Sequence, residues 1–217
     1  MSTAGLCATC HHVQVITSAR GSTFYLCDRS RTDSRYPKYP RLPVLACAGY
    51  DRNTVSSITI RSATERDVPL ILSFIRQLAE YERLLDAVKA TEDTLRATLF
   101  GPKPVAEVLI AQEGATPVGF ALFFQNYSTF LAQPGLYLED LFVVPSARNK
   151  GIGKRLLGYL SQLAIDRGYG RVEWAVLDWN APAIGFYRRI GAVPMQDWTI
   201  MRLTGDALHR VATAVTK

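Results

Sequence analysis

The sequence has no uninterrupted apolar run near the ~20 residues that a membrane-spanning helix requires. Its first residues, Met1 to His12, lack the apolar stretch of a secretory leader. Charged residues make up only 20% of the chain and hydrophobic ones 48%, a balance that excludes a disordered polyelectrolyte and fits a globular fold. No cysteine follows Cys47, and His209 is the only histidine after residue 12. Catalysis by a cysteine nucleophile therefore has no material in the last three quarters of the chain. No internal repeat or low-complexity segment occurs after residue 58. These absences, with a length of 217 residues, predict a soluble cytoplasmic protein of one domain plus an extension, with no membrane partner.

What is present is unevenly distributed. Seven of the 25 Lys and Arg residues, against three of the 19 acids, fall in residues 1–56, so most of the net charge of +6 lies there. Nucleic-acid binders usually gather such charge on a folded face. Here the segment is rich in Ser, Thr and Arg, carries Pro37, Pro40 and Pro43, and shows little apolar periodicity. It reads as a poorly ordered basic extension over residues 1–57, with no nucleic-acid partner. Cys7-x-x-Cys10 followed by His11 offers part of a zinc site. Cys27 and Cys47 stand alone in sequence, without a second close pair, so no metal is expected. A translation start near Val55 would remove the segment altogether.

From residue 58 the pattern becomes regular. Ile58–Arg61 alternates like a short strand, and Ile71, Ile75 and Leu78 recur at helical spacing between Glu65 and Glu82. Thr91 precedes two acids as a helix cap would, with Leu95 and Leu99 on one face. Val105–Gln112 and Val118–Gln125 read as a hairpin, Leu136–Val144 as a third strand and Arg171–Leu177 as a fourth. A helix after Gly153 carries Leu156, Leu160 and Leu163, and Asn180-Ala-Pro182 caps another. Trp198–Leu203 reads as a last strand. The order predicts a single α/β domain over 58–217, with a mixed sheet flanked by helices.

The sharpest local signal is Val143-Val-Pro-Ser-Ala-Arg148-Asn-Lys150-Gly151-Ile-Gly153-Lys154, between a strand end and a helix start. Backbone N–H groups at a helix N-terminus bind phosphate oxygens, glycines allow close approach, and Arg148, Lys150 and Lys154 add positive charge. A dinucleotide fingerprint would need a third glycine where Leu156 stands, and a P-loop has a different spacing. The alternative is an ordinary glycine-rich turn, which accounts for the glycines but not for three clustered cations.

Arg148-x-x-Gly151-x-Gly153 after Val-x-Pro resembles the acetyl-CoA pyrophosphate motif of the GNAT superfamily of N-acetyltransferases. Within it the chain is similar to the diamine acetyltransferases, which include spermidine/spermine and thialysine N-acetyltransferases. The likeness runs from about Ile58 to Ala212 and includes Ile60-Arg61-x-Ala63-Thr64, Leu78-Ala-x-Tyr81-Glu82, Tyr137-Leu-Glu-Asp-Leu-Phe-Val143 and Val176-Leu-Asp-Trp-Asn180-x-Pro-Ala-Ile-x-Phe-Tyr187. It implies a sheet whose middle strands splay to admit pantetheine, and a homodimer. It further implies pantetheine pairing at Phe142 and Val143, the pyrophosphate at the turn from Arg148 to Gly153, and Asn180 and Tyr187 near the thioester.

Acetyl transfer to an alkylamine requires removal of a proton from an ammonium of pKa ~10.4, and then a donor for the departing thiolate. Glu139 and Asp140 interrupt an otherwise apolar strand, and unpaired charge is costly to bury, so they point either to a cleft or to a solvated edge. The resemblance places the amine-binding and proton-accepting acids at this dipeptide, with Glu139 as base, and makes Tyr187 the general acid. Without it, Tyr187 reads as core beside Ile184 and Ile190. Tyr81 and Glu82 match the family's substrate side, though in isolation they read as a solvated helix end. Polyamine-specific members have Asp-Pro-Trp where this chain has Ser128-Thr-Phe130, and the thialysine type has Ser-Thr followed by an aromatic. The expected activity is direct transfer from acetyl-CoA to a primary amine of a small molecule. A CoA-binding module without turnover is the competing class.

Overall fold

The computed structural model describes residues 4–18, 21–51 and 58–214. They fall into two compact units, Met1–Trp174 and Ala175–Lys217. The first contains a two-stranded hairpin, β1 (Val13–Thr17) and β2 (Thr23–Cys27), and a five-stranded sheet in chain order: β3 (Ile58–Ser62), β4 (Glu107–Glu113), β5 (Thr116–Ser128), β6 (Gln133–Val143) and β7 (Val172–Trp174). Neighbours are antiparallel except β6 and β7, which are parallel. The sheet is mixed, as the sequence predicts.

Both faces of the sheet are covered. Burial along β4 is continuous from Val108 to Ala111, the mark of a strand buried on both sides rather than one. On one face, Val108, Ile110, Phe120 and Phe142 form a core with Val68, Ile71 and Phe74 of α1 (Val68–Tyr81) and with Leu95 and Leu99 of α2 (Glu92–Leu99). Phe74 stacks on Phe120 with centroids 5.5 Å apart. Because side chains alternate along a strand, Leu109, Ala111 and Ala121 point to the other face. The buried stripe of α3 (Ile152–Asp166), Leu156, Leu157, Leu160 and Ala164, repeats at helical spacing on its sheet-facing side.

Two helices, α2 and the one that follows Asn180, begin where the sequence places a cap. Thr91 accepts from the Thr94 N–H at 3.2 Å. Before α1, Thr64 and Asp67 form a capping box, and Arg61 of β3 grips Asp67 with two hydrogen bonds of 2.7 and 2.8 Å.

In the second unit, α4 (Ala181–Arg189) starts at Asn180, whose Oδ1 accepts from the Ala183 N–H at 3.3 Å, and α5 (Gly205–Ala214) follows. Two expectations are corrected. The strand expected over Arg171–Leu177 is only three residues long. The strand expected over Trp198–Leu203 does not form: those residues enter no ladder, and Trp198, Ile200, Met201 and Leu203 are exposed. Alternation alone does not make a strand, because backbone N–H and C=O groups need a neighbouring strand to pair with. The helix over 205–214 was not anticipated.

The segment expected to be poorly ordered carries the β1–β2 hairpin and two 3-10 turns, Leu6–Thr9 and Asp28–Arg31, among its described residues. The expected boundary near residue 57 falls within 52–57, outside the described residues. Among the described residues no helix is long and apolar enough to cross a membrane.

Candidate active site

The ladder between β6 and β7 runs from Leu136↔Val172 to Leu138↔Trp174 and then stops. β6 continues to Val143 paired only with β5. The backbone of Glu139–Val143 is thus paired with a strand on one side only among the described residues. Glu139 and Asp140 stand at the point of divergence.

A β-bulge sits at the same place. Phe123 pairs with Leu138 and Leu122 with Asp140, which leaves Glu139 as the extra residue. A bulge bends its strand and re-aims the side chains around it. Regular alternation along β6 is therefore interrupted at the two acids. No sequence signal marked the bulge beyond the acids themselves.

Asp140 is half-buried, and its pKa is raised to about 6, first by desolvation and then by the charges of Glu139 and Glu82. Glu82, one residue beyond α1, is itself pushed up by burial. Arg83 adopts a left-handed φ of 62° that ends the helix, and the Glu82 N–H donates to Leu78 O at 2.9 Å. The end of α1 and the bulge of β6 therefore bring three carboxylates together. Like charges in a low-dielectric cleft raise each other's proton affinity, and a cation entering among them relieves the strain.

The neighbouring turn also comes to this place. The Arg148 guanidinium lies 4.7 Å from the Tyr81 ring centroid and 5.8 Å from that of Phe142, and its Nε donates to Val143 O at 3.0 Å. Tyr81, Phe142, Val143 and Arg148 thus meet at the strand end. Asn149 and Gly151 take left-handed φ angles of 64° and 78°, which swing the chain into α3. No side chain caps α3 and no acid occupies its first turn, so its leading N–H groups carry the positive end of the helix dipole without an internal partner from that source. A Cβ built on Gly151 or Gly153 meets nothing within 4 Å, so there is open space in front of the turn.

The three cations of the turn differ in use. Lys150 Nζ is held by Glu113 at 2.8 Å, Arg148 folds back on Val143 and Tyr81, and Lys154 is exposed. The Lys150–Glu113 pair was not foreseen, because nothing in the sequence links positions 37 residues apart. Arg148 spends one of its five N–H donors on Val143.

Asn180 and Tyr187 belong to the second unit. There Asn180 caps α4, and the half-buried Tyr187 has its ring 5.4 Å from that of Phe186. A cleft of about 250 Å³ lined by Phe100, Tyr159, Leu163 and Arg167 shares no residue with the acid cluster.

Residues 74–192 match the family model described as Acetyltransferase (GNAT) family. The chain belongs to that family. Among the relatives of this GNAT chain is thialysine N-epsilon-acetyltransferase of Sus scrofa, 39% identical over 169 residues that span 73% of this chain and 99% of that protein. L-ornithine N5-acetyltransferase NATA1 of Arabidopsis thaliana is 36% identical over 197 residues, spanning 70% of this chain and 86% of that one. An integron cassette protein from the mobile metagenome of V. cholerae superposes with a TM-score of 0.62 at 27% identity, covering 72% of this GNAT chain and 98% of its own. The family membership confirms the fold class and the acetyltransferase activity expected from the sequence.

Proposed function

We propose that this GNAT chain transfers the acetyl group of acetyl-CoA directly to a primary amine on a small, lysine-like molecule such as thialysine or ornithine. The observation that carries the reading is the group of Glu82, Glu139 and Asp140 at the splay of β6, with Asp140 holding a proton affinity near neutrality. An ammonium substrate is attracted to such a cluster, and a carboxylate that titrates near the working pH is suited to accept its proton.

In this reading the opening beside β6 receives the pantetheine arm at Phe142 and Val143, and the leading N–H groups of α3 receive the pyrophosphate with help from Lys154 and Arg148. Acetyl-CoA supplies the acyl group as cosubstrate. Glu139 and Asp140 form the proton-accepting pair, with Tyr81 and Glu82 on the amine side. Tyr187 remains the proposed donor to the CoA thiolate on the strength of the resemblance.

The choice of a short amine follows from the turn between β5 and β6. Where a polyamine enzyme would offer an acid, this chain has Ser128, which is buried and accepts from the Leu131 N–H at 3.3 Å. Fewer carboxylates along the path favour a substrate with one ammonium head. The relatives named above act on amines of this size, as their names state.

The test is thiol release from acetyl-CoA by the purified chain, measured against thialysine, ornithine, lysine, putrescine, spermidine and spermine. Highest kcat/KM for the amino-acid amines is the expected result. A preference for spermine would reject the substrate class, and no turnover with any amine, despite heat of CoA binding in calorimetry, would favour a binding module.

A further inference from the structure

The four cysteines lie outside everything used above, and backbone hydrogen bonds tie together the segments that carry them. Leu6 N–H donates to Val44 O at 2.7 Å and Val44 N–H to Ala4 O at 3.3 Å, laying the approach to Cys7 along the approach to Cys47. His11 N–H donates to Asp51 O at 2.7 Å, and Thr9 Oγ1 lies 2.9 Å from the Tyr50 hydroxyl, so the far side of Cys10 is tied to the far side of Cys47. In the hairpin Cys27 pairs with Val13, whose N–H donates to Cys10 O at 3.3 Å.

We propose that Cys7, Cys10, Cys27 and Cys47 are the four ligands of a structural zinc ion.

The energetics of the segment favour this. Among the described residues of 4–51 only Ala4, Cys7, Cys10, Leu26 and Gly49 are buried, and all four cysteines are free thiols. A segment of roughly 40–50 residues with so few buried apolar side chains of its own has little apolar burial to hold it, which a metal would offset. Cys7-x-x-Cys10 lies across a 3-10 turn, Leu6–Thr9, the compact knuckle from which two sulfurs can reach one ion. In this proposal Cys27 and Cys47, twenty residues apart in sequence, are the second pair. Neither histidine is needed, since His11 is exposed and His12 Nε2 lies 3.6 Å from Asp51.

Among the described residues no three such side chains are already grouped as a metal would hold them. Closing the site draws the sulfurs inward. Four S–H bonds are lost, four protons pass to solvent, and four Zn–S bonds form, leaving a centre of net charge −2. The basic surplus of residues 1–56 offsets that charge, which gives the segment's lopsided composition a role. With all four positions filled by protein, the ion has no open site for catalysis.

The test uses the full chain. Elemental analysis after purification should give about one zinc per chain, and a mercurial titration should release it as about four thiols react, as a tetrathiolate site requires. Cobalt exchange should produce the visible bands of a tetrahedral cobalt thiolate. Cys10→Ser and Cys47→Ser should each hold under about a fifth of the wild-type zinc, whereas His11→Ala should hold all of it. Wild-type chain without zinc, iron in its place, a disulfide between any pair, or undiminished zinc in the serine variants would overturn the proposal. The wild-type stoichiometry decides the matter even if a serine variant fails to fold.

Discussion

Two corners of this chain turn a strand into a helix, and they are built to opposite specifications. At the corner from β3 to α1, Asp67 receives two hydrogen bonds from Arg61, one from the Thr64 N–H at 2.7 Å and one from the Thr64 hydroxyl at 3.0 Å. Its carboxyl is held well below the ordinary carboxylate range, the Arg61 bonds being the main cause. At the corner from β6 to α3, Gly151 supplies a left-handed φ, no side chain caps the helix, and Asp140 just upstream is pushed up to about 6 by burial and like charge. Acids in the closed corner are answered within the fold. In the proposed function those beside the open corner receive a cation, and its N–H groups an anion, which would be the difference between a joint and a binding site.

The sharpest break of this comparison is Asp140→Asn, which should move activity and stability in opposite directions. Loss of one member of the proposed proton-accepting pair should lower kcat/KM for the amine by about a hundredfold to ten-thousandfold. The protein itself should become more stable at pH 7.5. Asp140 has a folded pKa above its unfolded value, so the fold prefers the neutral form; the cost of ionising it grows as pH rises from the unfolded value to about 6 and is complete above that. Removing the charge should recover about 1–2 kcal/mol at pH 7.5 and almost nothing at pH 4. Chemical denaturation at the two pH values checks this. In kcat/KM against pH, the acidic limb near 6 should move to lower pH in Glu139→Gln, since Glu139 helps to raise Asp140. An unmoved limb would detach that titration from the acid pair.

Asp67→Asn is the mirror case. Its folded pKa is depressed, so its contribution is present above the unfolded carboxylate value and is lost as pH falls toward the folded one. At neutral pH the variant should lose about 2–3 kcal/mol, at the low end for a broken buried pair because the Arg61 side chain is 38% exposed. A fall in Tm of about 5–10 °C is expected from a loss of that size. Below the temperature of unfolding, kcat should change little. A large loss of kcat with an unchanged Tm would move Asp67 from the joint to the site.

The open corner was more legible in the sequence than the closed one, whose Thr64–Asp67 box and Arg61 grip no local reading singled out. Capping, helical stripes and the hydrophobic run of β4 are local, so Thr91, Asn180 and the stripes of α1 and α3 could be read directly. The acid dipeptide and the glycine turn were visible as violations of local pattern, which is how a site announces itself in sequence. What stayed hidden depends on distant pairing. The bulge at Glu139 exists only in the register between β5 and β6, the Lys150–Glu113 pair joins separate strands and loops, and Cys27 is set opposite Val13 only through a hairpin. The strand expected at 198–203 failed for the same reason, since a ladder needs a partner that no single segment can specify.

The open corner can also be tested without touching a charge. Gly151 is a poor choice, because its φ of 78° would strain any side chain and a loss of binding could be blamed on the backbone. Gly153 lies in the first turn of α3, and a Cβ there meets nothing in the protein. Gly153→Ala should therefore leave the fold intact or raise its stability by a few tenths of a kcal/mol, since alanine is the better helix former. If that open space is where a pyrophosphate approaches the leading N–H groups, the added methyl meets the ligand instead. Affinity for CoA should fall about tenfold, near 1.4 kcal/mol, with acetyl transfer recovering at saturating acetyl-CoA. Calorimetry for the ligand and thermal melting for the protein separate the two effects. Unchanged affinity together with the small gain in stability would make the turn an ordinary glycine-rich bend and move the pyrophosphate elsewhere.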